Sequence, residues 1–62
     1  MKYRTPEVAI ALCRLQSAVT VTVLAMCEDE QKFLEGIRAV SEETENVVYA
    51  AQLVDFKEKV AK

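Results

Sequence analysis

Apolar residues recur along the first half of the chain at helical spacing. Val8, Leu12, Leu15, Val19, Val23 and Met26 lie four, three, four, four and three residues apart, which is one face of an α-helix. Thr5-Pro6-Glu7 comes just before them and reads as a helix start. Thr5 serves as N-cap, Pro6 takes the first helical position, and Glu7 sits beside the positive end of the dipole. Ile10, Val21 and Leu24 fall on or near the opposite side. The predicted helix is therefore apolar on more than one side, as a helix with more than one neighbour is. Residues 18–23 read Ala-Val-Thr-Val-Thr-Val, a β-branched alternation that is also the pattern of a strand. No turn signal brackets it and no second strand is available to pair with it, so a helix is predicted.

The stripe is disturbed at Cys27-Glu28-Asp29-Glu30. If the helix continued unbroken, Asp29 and Glu30 would flank its buried line, where charge is costly. Either it restarts here with Asp29 near a new N-terminus, or this turn projects past the packing partner. Phe33, Leu34, Ile37 and Val40 then resume a helical pattern, either through Gly36 or with Gly36 as a C-terminal stop. Ser41-Glu42-Glu43-Thr44 is a second start signal, a Ser cap followed by acidic residues. The last helix is predicted to run to Ala61, with Tyr49, Leu53, Phe56 and Val60 spaced four, three and four, and Val47, Ala50 and Val54 widening the stripe. Lys57, Lys59 and Lys62 sit at its negative end.

These elements predict an all-α helical hairpin. A long or kinked first helix is followed by a turn near Val40-Ser41 and a capped second helix. A first helix over residues 6–39 would reach about 50 Å and a 20-residue partner about 30 Å. The half carrying Val8 to Val19 would then protrude, and a second copy laid antiparallel would bury it. A break near Asp29 would instead give three helices with less left uncovered.

Size sharpens this expectation. The sequence has 62 residues, of which 52% are hydrophobic, and a chain of that length hides only about 60% of the surface its unfolded form exposes. A homodimer is the simplest remedy. The residues expected in the core and dimer interface are Val8, Leu12, Leu15, Val19, Val23, Met26, Phe33, Ile37, Tyr49, Leu53, Phe56 and Val60. Tyr3, Ile10, Val21 and Leu24 are the candidates for binding a different partner, since aromatic and off-stripe apolar residues anchor such contacts.

Candidate chemistry is sparse. There is no His and no Trp, so Cys13 and Cys27 lack a basic partner and no nucleophilic constellation forms. No metal-ligand spacing is present, and no cofactor, metal or catalytic residue is expected. Carboxylate pairs such as Glu42 and Glu45, or Glu28 and Glu35, read as solvated helix surface. On one continuous helix the two cysteines would stand about 21 Å apart, beyond the reach of a disulfide within the chain; a bridge between two copies stays open, and two buried or half-buried free thiols in a reducing cytoplasm are the expectation. Eight basic against ten acidic residues leave a net charge of −2. That argues against a dedicated nucleic-acid binder, although two copies of Lys2, Arg4 and Arg14 in a dimer could converge on one patch. Residues 8–27 are long enough to span a bilayer, but Arg14, Gln16 and Ser17 near the middle oppose insertion. What remains is a cytoplasmic, non-enzymatic protein that binds itself and another protein as a small regulator. A dimeric RNA- or DNA-binding hairpin is the first alternative and a membrane protein spanning 8–27 the second.

Overall fold

The computed structural model describes residues 1–60 and consists of two helices packed against each other as a hairpin, α1 (Pro6–Ala25) and α2 (Glu30–Val60). α1 starts where the sequence marks it. Thr5 is extended, and its hydroxyl accepts the Val8 N–H at 3.2 Å, satisfying one of the donors a helix start leaves free. The β-branched stretch around Val21 is helical throughout. The Thr20 and Thr22 hydroxyls donate to the carbonyls of Gln16 and Ala18, at 3.0 and 2.7 Å, so their polarity is absorbed within the helix.

The turn lies at residues 26–29, not near Val40-Ser41, and a second break does not occur, so there are two helices and not three. Cys27 and Glu28 donate to the carbonyls of Leu24 and Ala25, at 3.2 and 3.0 Å, tightening the last turn of α1. Asp29 then caps α2. Its carboxylate accepts the Gln31 N–H and its carbonyl the Phe33 N–H, each at 2.9 Å. Gly36 and Ser41 both lie inside α2. The cap signal at Ser41 is overridden because the buried line of α2 runs straight through it. A solvent-facing Ser costs a helix interior only about 0.5 kcal/mol, whereas a turn there would strip that line of its partner. The expected helix end at Ala61 and the placing of Lys62 lie outside the described residues.

The seam alternates small side chains with larger apolar ones. On α1 it follows Val8, Ala11, Leu15, Ala18, Thr22 and Ala25; on α2 it follows Phe33, Gly36, Val40, Glu43, Val47, Ala50 and Val54, all buried or half-buried. Both lines alternate steps of three and four, the 3.5-residue repeat that keeps two helices in register along their length. Val8, Ala11 and Ala50 form the cluster at the open end, with Val47 and Val54 against it. Near the closed end α1 and α2 approach so closely that a Cβ on Gly36 would land on the Thr22 side chain.

α2 is the longer helix, and its last turns run past the start of α1. The N-terminal lead lies against them. The Tyr3 hydroxyl donates to Asp55 at 2.9 Å, and the Lys2 ammonium pairs with Asp55 at 2.9 Å and Glu58 at 3.6 Å. Among the described residues no large side chain is fully buried. Each buried methylene contributes about 0.8 kcal/mol, and a seam in which Ala, Gly and Thr alternate with half-buried larger residues supplies few of them.

Candidate interaction surfaces

Successive helical residues turn by about 100°, so the seam divides the remaining apolar residues between its two flanks. Val21 and Leu24 line one groove with Lys32, Glu35 and Ala39 of α2. Farther along the same flank Glu7, Leu53 and Lys57 line a second groove, and the Arg14 guanidinium reaches Glu43 at 3.5 Å. This flank mixes apolar and charged residues. Ile10, Val21 and Leu24, the candidates for a different partner, all lie on it and are exposed. Tyr3, the fourth, is half-buried with its hydroxyl engaged by Asp55.

The opposite flank is different. It carries Leu12, Gln16, Val19, Val23 and Met26 on α1, and Ile37, Ser41, Thr44 and Val48 on α2. Leu15 and Phe33 are half-buried at its edge toward the seam. Val23 is 55% exposed, Met26 66%, Ile37 49% and Val48 50%. No charged residue falls on this flank between the Lys2–Tyr3–Asp55 cluster at one end and the acidic turn at the other. The uncharged strip runs about 21 Å along the hairpin from Leu12 to Met26.

A third apolar line, Tyr49, Leu53, Phe56 and Val60, follows the last turns of α2; Leu53 sits at its edge beside Glu7, while Tyr49 is 62% and Phe56 63% exposed. Of the twelve residues expected in the core and dimer interface, Val8, Leu15 and Phe33 belong to the seam within one chain. The other nine are exposed on that chain. The periodicity of the large apolar residues therefore marks a line beside the seam. The seam's own signal is the small residues at 11, 18, 22, 25, 36 and 50, which a search for large hydrophobics passes over.

The polar groups are placed as follows. Glu43 sits in the seam and accepts from Arg14 and from the Asn46 side-chain amide at 2.9 Å. Hydrogen bonds from Lys2 and then Tyr3 hold the Asp55 carboxyl below its ordinary value, and the Asp55 contact raises Lys2 well above the usual lysine range. Lys2 and Arg14, two of the three cations expected to converge, are thus each paired with a carboxylate of their own chain. Cys13 and Cys27 are free and both exposed, which corrects the expectation of buried or half-buried thiols. Cys13 is on the outer side of α1, away from the seam, and Cys27 is in the turn. By length and composition alone α1 is apolar enough to cross a bilayer. Among the described residues no group of three or more His, Cys, Asp or Glu is placed to hold a metal ion. Comparison with protein-family models, with curated proteins and with solved structures found no significant match.

Proposed function

We propose that the protein is a small non-enzymatic regulator that acts by binding another protein, as an inhibitor, anti-activator or chaperone-like adaptor does, and that its working form is a helical homodimer. The observation that supports this is the disposition of apolar surface: large hydrophobic residues stand exposed along both helices, while among the described residues no large side chain is fully buried between them. A surface of that kind marks a site of association. The test is molar mass by light scattering, without detergent, across a range of concentrations. A mass of twice the 7.0 kDa chain supports the homodimer, and a monomer at all concentrations overturns it. The partner-binding half of the reading is tested by capture with the wild-type chain followed by competition. A captured protein must be released by free wild-type chain and must not depend on nucleic acid.

A second reading, favoured by the length and apolarity of α1, is a membrane span. The hairpin opposes it, because α2 lays Arg38, Glu42, Glu43 and Glu45 alongside the middle of α1, and charges at that depth cost about 2.5–3.5 kcal/mol each. A chain that stays in solution only with detergent would favour the span.

A further inference from the structure

We infer that the uncharged flank, centred on Leu12, Val19, Val23 and Ile37, is the surface that receives a second copy of this chain, so that two hairpins close into a four-helix bundle. This inference rests on the homodimer reading above and adds to it the face that pairs and the faces that stay free.

The first argument is area. A compact monomer of this mass exposes about 4,000 Å², whereas the hairpin exposes 5173 Å², an excess of roughly 1,100 Å². A standard interface buries about 800 Å² on each partner. The excess is therefore of the size that one copy of the chain would cover. The same conclusion follows from shape. The radius of gyration is 14.7 Å, against about 10.6 Å for a compact chain of 62 residues. Two hairpins laid side by side bring the body closer to compact proportions without lengthening it.

The second argument is symmetry. A two-fold interface sets a patch against its own copy, so any charge near the axis meets an identical charge. Between the Asp55 cluster and the turn, the strip from Leu12 to Met26 and from Phe33 to Val48 has no charge to repel its copy, and its polar members (Gln16, Ser41, Thr44) are neutral. The groove beside Val21 and Leu24 includes Lys32 and Glu35, and the line of Tyr49 and Phe56 lies between Glu45 and Lys59. Both of those faces stay open to a different protein when the uncharged flank is used for pairing.

The experiment compares the concentration dependence of mass for the wild type and for Val23→Glu, Leu24→Glu and Phe56→Glu, with far-UV circular dichroism as the check on folding. The expected result is a dimeric wild type. Val23→Glu raises the dimer dissociation constant about a hundredfold or more, since two unpaired carboxylates are then desolvated against each other. Leu24→Glu and Phe56→Glu stay dimeric. Ser41→Arg is the companion variant: Ser41 is exposed and makes no contribution to the seam, so the hairpin keeps its packing and any loss of dimer reports the interface. A wild-type monomer defeats the homodimer reading itself. A wild-type dimer that survives Val23→Glu and Ser41→Arg but is lost in Leu24→Glu or Phe56→Glu overturns the assignment of the face while leaving the homodimer reading intact.

Discussion

Replacing Gly36 by Ala sets two effects of known size against each other. In a helix interior, Ala is better than Gly by about 0.5–1 kcal/mol, so an exposed site would gain. At Gly36 the new Cβ meets the Thr22 side chain. Thr22 is buried, and its hydroxyl is tied to the Ala18 carbonyl at 2.7 Å, so it has no free rotamer in which to yield. Forcing an extra methyl into such a contact costs about 1–3 kcal/mol. The balance is a net loss of about 1 kcal/mol, which lowers the melting temperature of a domain this size by about 4–8 °C. Removing the obstruction should cancel most of this loss. In a Thr22→Ala background the hydroxyl and methyl are gone, and only the Cβ at 3.0 Å remains near position 36. The cost of Gly36→Ala should then shrink by about 1 kcal/mol, a coupling that residues in direct contact show. The assay is thermal and urea denaturation of the four proteins of this cycle by circular dichroism at one fixed concentration, because association shifts apparent stability. A Gly36→Ala variant more stable than the wild type by about 1 kcal/mol, with no coupling to Thr22, would refute the seam: position 36 would then face open space.

Three further outcomes follow from the same geometry. Leu15→Asp places a charge in the seam and should cost about 3 kcal/mol or unfold the chain, while Leu24→Asp, on an exposed position, should leave the helical signal intact; equal effects from the two would contradict the seam. The Asp55 carboxyl is held below its ordinary value of 3.8 and Lys2 above its ordinary value of 10.5. The Asp55 contribution is therefore present above about pH 4 and lost as pH falls through the lowered value, while that of Lys2 persists until pH rises beyond the lysine range. The Tyr3 ring resonances should accordingly stay constant from about pH 5 to 8, and a release near neutrality would contradict the clasp. Cys13 and Cys27 should both react with a soluble thiol reagent in the folded protein at rates close to those of an unfolded control. Protection of Cys13 in the dimer would place the second copy on the outer side of α1.

Much of the local structure is legible in the residues. Thr5-Pro6 starts α1 because a side-chain acceptor and a residue with fixed φ satisfy the helix end without any tertiary contact. The α-helical character of residues 18–23 follows from the lack of anything for a strand to pair with. The shortage of interior is implied by chain length and hydrophobic content alone. The site of the turn is a different matter. Asp29 and Ser41 are both competent caps, and local chemistry ranks neither above the other. The choice falls to the seam, whose line from Phe33 to Val54 must stay unbroken to face α1, so that Ser41 is absorbed into α2 and Asp29 is used. The identity of the seam is likewise a tertiary outcome. Periodicity locates large apolar residues, but two backbones come close only where side chains are small, and Ala11, Ala18, Thr22, Ala25, Gly36 and Ala50 therefore hold the inside of the hairpin. Leu12, Val19, Val23 and Ile37 follow a parallel line about a quarter turn away, so that once the close approach at Thr22 and Gly36 fixes the facing line they are left on the flank.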